Sequence, residues 1–331
     1  MTGRILITGG AGFIGTHLAR RLAVSGYTVC LADNFIRGIV DQELEDLLAT
    51  SKVTVNTVEL LDLNEALALG SNFDAIFHLA AIIGVSHVVD HPYQVLVENT
   101  RMVENVIALA RQQENLSRLL FASTSEVYAG TLKHFDLTVP TPEDSNLAVT
   151  ELREPRTSYM LSKIFGEALC QQAGIPFTIF RPHNVYGPRM GMAHVIPEQL
   201  KKAWVAGTGD RLSVYSPDHR RSFCFVDDAV EMLKRMLETD ECEGKTLNLG
   251  AQFPEVTIRE VVQMCIDVTG KSLGINDLPP TTGSPNRRAP DMRLTNELLG
   301  VESRVSLREG IEQTWAWYRE YVFWNNGPTA T

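Results

Sequence analysis

Short apolar, β-branched runs alternate with helical periodicity through the first half of the chain. ILIT (5–8) leads into a helical stretch ending near Ser25, and TVCLAD (28–33) leads into a second one rich in Glu and Leu. VTVNTVEL (53–60), AIFHLA (75–80) and RLLFAS (118–123) repeat the strand signal. Between the last two, Val95, Met102, Val103, Val106, Ile107 and Ala110 share one helical stripe and predict a long helix from about Pro92 to Gln113. Such alternation predicts right-handed βαβ units and hence an α/β fold, a doubly wound parallel sheet covered on both faces.

The rhythm breaks at residues 130–157, where Pro140, Pro142 and Pro155 interrupt a polar stretch read as a long loop. A helix over 157–173 and the strand FTIFRP (177–182) follow. Beyond Arg181, helical patterns at 194–206, 227–238, 257–269 and 307–321 are separated by short strands and by the Pro/Gly/Arg-rich stretch 279–290. Thr257 with Glu260, and Ser306 with Glu309, have the spacing of capping boxes and mark two helix starts. The division expected is a nucleotide-binding domain over 1–180, a smaller α/β substrate lobe over 181–331, and a return of about 220–250 to the first domain.

Composition narrows the function classes. With 44% hydrophobic and 21% charged residues in 331, the chain is globular. No apolar run approaches the roughly 18 residues of a membrane span, and the N-terminus reads as a strand rather than a secretory signal. A net charge of −10 argues against a nucleic-acid partner. Five widely spaced cysteines without a CxxC read as buried thiols, and the expected compartment is reducing cytoplasm. The eight histidines show no metal-ligand spacing, and no metal is expected.

Two motifs carry chemistry. Thr8-Gly9-Gly10-Ala11-Gly12-Phe13-Ile14-Gly15 follows the first strand and opens a helix. Glycines at 9, 12 and 15 permit a tight turn and close approach to a pyrophosphate, which the helix N-terminus then favours electrostatically. Asp33 ends the second strand, where a carboxylate accepts hydrogen bonds from an adenosine ribose and repels a 2′-phosphate; NAD is favoured over NADP, although Arg37 lies nearby. The second motif is Tyr159-Met-Leu-Ser-Lys163, whose ends share a helix face. A cation beside the phenol favours its ionised form, so the pair suits removal of a proton from a substrate alcohol.

With HLAA (78–81), Asn99, Ser123-Thr124-Ser125-Glu126-Val127-Tyr128, RPHNVYGPR (181–189), Arg221-Ser-Phe-Cys-Phe-Val-Asp227 and Arg288-Ala-Pro-Asp291, the chain resembles the extended short-chain dehydrogenase/reductase family, within it the nucleotide-sugar epimerases and dehydratases. The resemblance runs from Gly3 to about Tyr321 and implies a Rossmann-type fold, bound NAD, a nucleotide-diphosphate sugar substrate and a homodimer built on helices near 92–113 and 157–173. It implies that Gly9, Gly12, Phe13, Ile14 and Gly15 form the pyrophosphate loop, that Asp33 and Asn34 hold the ribose, and that Asp62 and Leu63 meet the adenine edge. Leu79, Ala80, Ala81 and Asn99 belong to the nicotinamide side, and Lys163 holds the nicotinamide ribose. Thr124 is implied to bond the reacting hydroxyl, Tyr159 to be the base, and Asn184, Arg221 and Arg288 to contact the substrate diphosphate. The chain departs from the family at Ser216-Pro217-Asp218, where Gly-Asp-Gly is usual, and in the long 130–157 segment, either a cover for the sugar or a surface insertion.

The implied reaction opens with oxidation of the sugar at C4. Return of hydride to the other face gives an epimer, elimination across C5 and C6 gives a 4-keto-6-deoxy sugar, and a C5 carboxylate leaves as carbon dioxide. Glu126 tilts the expectation toward 4,6-dehydration, as the C5 base, although decarboxylases carry Thr-Ser-Glu too and Ser125 stands where many dehydratases have Asp. A plain 4-epimerase, a UDP-glucuronate-type decarboxylase and a noncatalytic NAD-binding regulator remain as alternatives.

Overall fold

The computed structural model describes residues 3–280 and 284–324; residues 281–283 of the Pro/Gly/Arg-rich stretch lie outside them. Six strands run in chain order through the first half: β1 (Arg4–Thr8), β2 (Thr28–Asp33), β3 (Val53–Thr57), β4 (Ala75–His78), β5 (Arg118–Ala122) and β6 (Phe177–Pro182). With Thr246–Leu249 they form one seven-stranded sheet, spatial order β3-β2-β1-β4-β5-β6-(246–249), every neighbour parallel. The near-continuous apolar sequences of β1, β4 and β5 follow from burial on both faces, whereas β3 at the sheet edge is mostly exposed.

Alternate residues of β1 serve different layers. Ile5 and Ile7 join an apolar cluster with Leu18, Leu22, Val230 and Leu233, so the helices Phe13–Val24 and Val226–Glu238 cover that face. Leu6, one residue out of phase, joins Met102, Val106, Phe121 and Cys170, beneath the paired helices Pro92–Arg111 and Thr157–Gln172. The five cysteines are buried free thiols.

The helices Val195–Val205, Ile258–Val268 and Leu307–Tyr318 gather around a parallel ribbon of Arg211–Tyr215 and Gly274–Leu278. Both expected capping residues are present: Thr257 and Glu260 form a reciprocal box, and the Ser306 side chain accepts from the Glu309 amide. Strands of two residues each, Arg220–Arg221, Val256–Thr257 and Arg287–Arg288, make a small three-stranded sheet.

The segment expected as a long loop holds a helix, Ala129–His134, packed so closely on the returning chain that a Cβ at Gly130 would lie 1.7 Å from the Ala148 carbonyl oxygen. Thr141 is laced to the segment after Arg288, its amide donating to Ala289 O (2.9 Å) and its carbonyl accepting from the Asp291 amide (2.9 Å). Arg181 donates to the Glu143 carbonyl at 3.0 Å, and the Asn248 amide to the Glu143 side chain at 2.8 Å. The segment is thus a built wall tied to the chain after Arg288, to β6 and to the Thr246–Leu249 strand.

Candidate active site

The turn after β1 is shaped by what a side chain would strike. Gly9 has φ +68°, and a Cβ there would lie 2.8 Å from the Ala80 amide nitrogen; one on Gly15 would lie 2.5 Å from Gly9 O. Gly12 caps the Phe13–Val24 helix with no side chain over its end, while Phe13 and Ile14 pack half-buried against the core. Asp33, 8% exposed, is fixed at the end of β2 by the amides of Ala11 (3.0 Å, to Oδ2) and Phe35 (2.9 Å, to Oδ1). Asn34 turns to Glu59 at 3.0 Å. Asp62 Oδ1 caps the helix that begins at Leu63, accepting from Asn64 and Glu65.

Leu79, Ala80 and Ala81 continue from β4 as a half-buried wall, tied to Thr8 by the Leu79 amide at 3.1 Å. Asn99 braces that wall through Ile82, accepting from its amide (2.7 Å) and donating to its carbonyl (3.1 Å), and reaches Ser162 between Tyr159 and Lys163. Arg37 donates to the Ile83 carbonyl at 2.9 Å, while both Asp33 oxygens are held by amides. A side-chain-free helix end, a fixed carboxylate at the end of β2 and a backbone turn that excludes Cβ atoms fit a dinucleotide.

Sequence reasoning gave Arg189 no role. It lies at φ +65° with its side chain buried, and its guanidinium joins the glycine turn to the segment after β2. It pairs with Asp41 (2.7 and 3.1 Å), donates to Ile39 O (3.1 Å) and Gly12 O (3.3 Å), and bonds Thr16. Its place at the end of RPHNVYGPR was the available signal.

Thr124 leaves β5 and caps the short 3₁₀ turn Ser125–Tyr128, its hydroxyl accepting from the Glu126 amide at 3.2 Å. Tyr159 and Lys163 come from the Thr157–Gln172 helix, the ammonium 5.9 Å from the phenol ring centre. The expected electrostatics need correction. Lys163 donates to the Ala122 carbonyl at 2.8 Å, and burial lowers it to about 8. Burial raises Tyr159 to about 12; a hydrogen bond with Thr124 and the Arg37 charge pull it back down, whereas Glu126 pushes it up. A buried lattice of Ser123, Glu167, Arg181 and Tyr128 fixes this helix to β5 and β6, with Arg181 in a two-pronged pair with Glu167 (2.9 and 2.7 Å).

Arg221 and Arg288 stand directly opposite each other on parallel two-residue strands. Arg288 donates to Glu126 Oε1 at 2.8 Å, and Arg156 lies 3.7 Å from the other oxygen. Arg288 above all holds the Glu126 carboxyl below the usual carboxylate range, with Arg156 and Arg221 assisting. Burial and the neighbouring Arg288 bring Arg221 down to about 10. Three guanidiniums thus face one carboxylate, a site with charge to spare for an anion. Asn184 sits nearby at φ +42°, its amide given to the Ser222 carbonyl at 2.9 Å. Among the described residues, no group of three His, Cys, Asp or Glu could hold a metal ion, and no helix is long and apolar enough to cross a membrane.

A model of the NAD-dependent epimerase/dehydratase family matches residues 5–250. The chain belongs to that family. It is 33% identical to a UDP-N-acetyl-α-D-glucosaminuronate decarboxylase of Bacillus cytotoxicus, covering 97% of this chain and 99% of the relative. It is also 33% identical to UDP-glucuronic acid decarboxylase 1 of Danio rerio, over 94% of this chain and 71% of the relative. Among solved structures, the UDP-glucuronic acid 4-epimerase of Bacillus cereus, in complex with UDP-glucuronic acid and NAD, superposes with a TM-score of 0.81 at 26% identity over 96% of this chain and 99% of that one. A dTDP-glucose 4,6-dehydratase of Streptomyces venezuelae with NAD bound gives 0.82 at 25% over 96% and 97%. The fold is that of the extended short-chain dehydrogenases/reductases acting on nucleotide sugars, and this family member is an enzyme whose cofactor is NAD.

Proposed function

We propose that the enzyme decarboxylates a UDP-linked uronic acid to the corresponding UDP-pentose through a transient C4 ketone. The observation carrying this reading is the Arg288–Glu126 pair beside Arg221 and Arg156. A C5 base for 4,6-dehydration must take up a proton, and Arg288, by holding the Glu126 carboxylate in an ion pair, lowers its affinity for one. An arginine site with surplus positive charge suits a substrate carboxylate. The decarboxylase names among similar proteins support the same choice over dehydration and 4-epimerization.

When bound, NAD accepts a hydride from a sugar carbon and returns it within the same turnover. Tyr159 takes the proton of the C4 hydroxyl, and Thr124, hydrogen-bonded to the phenol, aligns that hydroxyl. Asp33 and the glycine turn would hold the adenosine and pyrophosphate, and Lys163 would hold the nicotinamide ribose. Asn99 keeps the wall over residues 79–82 in place. Arg221 and Asn184 lie on the diphosphate side, and Arg288 binds the carboxylate. Glu126 positions Arg288, and Ser125 contacts the C6 end of the sugar. Once C4 is a ketone, the C5–C6 bond breaks, its electron pair remains on C5 as an enolate, and C5 is protonated from solvent.

Leu161, Ile164, Phe165 and Ala168 leave apolar surface on the Thr157–Gln172 helix, which supports a homodimer through this face. The deciding experiment incubates the NAD-loaded enzyme with UDP-glucuronic acid and, separately, UDP-glucose, with products read by mass spectrometry. Loss of carbon dioxide from the uronate is expected. Unchanged mass with a new stereoisomer, or loss of water from UDP-glucose, would replace this reading.

A further inference from the structure

A small recess, with a cavity volume of about 20 Å³, lies behind the arginine site, bounded by Ser125 and Arg288 on the catalytic side and by Ala129, Leu132, Leu137 and Val139 on the other. The apolar half comes wholly from the 129–141 segment. Its closure is structural: Arg287 donates to the Val139 carbonyl at 2.9 Å and forms a two-pronged pair with Glu255. Thr141 is laced to Ala289 and Asp291. The strand that carries Arg288 and the wall behind it are therefore one assembly.

The polarity of the recess is graded. Arg287 is neutralised by Glu255, and His183, also on the wall, is driven down to about 3 by burial and is uncharged. Arg288, paired with Glu126 but flanked by Arg156 and Arg221, thus carries the surplus charge at its boundary with the site, facing four aliphatic side chains. A carboxylate gains from the guanidinium and loses by moving toward the aliphatic wall; a neutral, linear molecule has the reverse preference.

We propose that this recess receives carbon dioxide as it leaves the sugar, an inference that rests on the decarboxylase reading. When the C5–C6 bond breaks with its electron pair left on C5, the departing carbon becomes neutral carbon dioxide, loses its hold on Arg288 and passes into the aliphatic pocket. Solvent supplies the proton to C5. The pocket thereby stabilises the separated product relative to the bound carboxylate, favouring departure over recombination.

The test fills the recess. Val139 and Leu132 are half-buried, so Val139→Phe and Leu132→Phe add bulk without opening the core. Each NAD-loaded variant is assayed for carbon dioxide release from UDP-glucuronic acid and, in parallel, for C4 oxidation of UDP-xylose, the pentose lacking the departing carbon, by NADH absorbance. Carbon dioxide release is expected to fall at least about tenfold in one or both variants, with UDP-xylose oxidation within about twofold of wild type. Equal losses on both substrates in both variants, or unchanged release in both, overturn the recess assignment. Failure of the wild type to release carbon dioxide from any UDP-uronate would instead remove the decarboxylase reading on which it rests.

Discussion

Replacing Arg189 with Met keeps much of the side chain's bulk and deletes the guanidinium that ties the glycine turn to the 39–41 segment. The lost set comprises a two-pronged pair with Asp41 and hydrogen bonds to Thr16 and to the carbonyls of Gly12 and Ile39. Removing one partner of a fully buried ion pair costs about 3–5 kcal/mol. Here the Asp41 side chain is 24% exposed and regains water once freed, so the expected loss is smaller, about 2–3 kcal/mol. For a chain of 331 residues that is a fall in Tm of about 3–4 °C. Because the guanidinium restrains the turn that meets the pyrophosphate, NAD affinity should weaken about tenfold, or 1.4 kcal/mol. Calorimetry with NAD and thermal denaturation read the two effects separately. A double-mutant cycle with Asp41→Asn should return a coupling energy of about 1 kcal/mol or more. Unchanged Tm and NAD affinity in Arg189→Met, or strict additivity with Asp41→Asn, would refute the clamp.

Four further outcomes are expected. Tyr159→Phe should lower turnover by about 10²–10⁴-fold and suppress substrate-induced NADH absorbance, since the proton acceptor is gone; near-normal turnover would remove Tyr159 as the base. Glu126→Gln should release Arg288 and raise KM for the uronate while leaving NAD affinity intact; unchanged kinetics would show that the pair does not position the guanidinium. NAD should bind at least about tenfold more tightly than NADP by calorimetry, because Asp33 is fixed where a 2′-phosphate would fall. His78 and His183 are each lowered to about 3 from 6.5, so they contribute stability in full above pH 6.5 and lose it as pH falls toward 3. Denaturant melts should then show stability dropping by up to about 1.4 kcal/mol per pH unit for each histidine across that window.

Strands β1, β4 and β5 were legible because strands buried on both faces need near-unbroken apolar runs, the edge strand β3 by its β-branched residues, and the long helices because each buries one stripe. The seventh strand, TLNL, was less so: Asn248 interrupts it, and its partners Glu143 and Thr141 come from a segment more than 100 residues earlier. The glycine turn and Asp33 were readable since backbone geometry there dictates residue type. The opposition of Arg221 and Arg288 was not, because two-residue strands carry no periodicity. Arg189 and Asp41 are 148 residues apart, and neither local pattern names the other. Spacing put Lys163 beside Tyr159 correctly, but could not reveal that its ammonium would be given to the Ala122 carbonyl.

The chain leaves the parallel sheet after β6, contributes Arg221 to the small three-stranded sheet, and returns with the Val226–Glu238 helix and the Thr246–Leu249 strand before departing again for Arg288. The two arginines that meet across the small sheet therefore belong to different excursions of the backbone. A fragment ending near Pro182 would leave β6 as a bare edge and expose the face of the Phe13–Val24 helix that Val230 and Leu233 cover. Grafting a relative's small arginine sheet onto this scaffold would consequently require at least two coordinated splices, one on each side of 226–249, with both arginine strands drawn from the same donor.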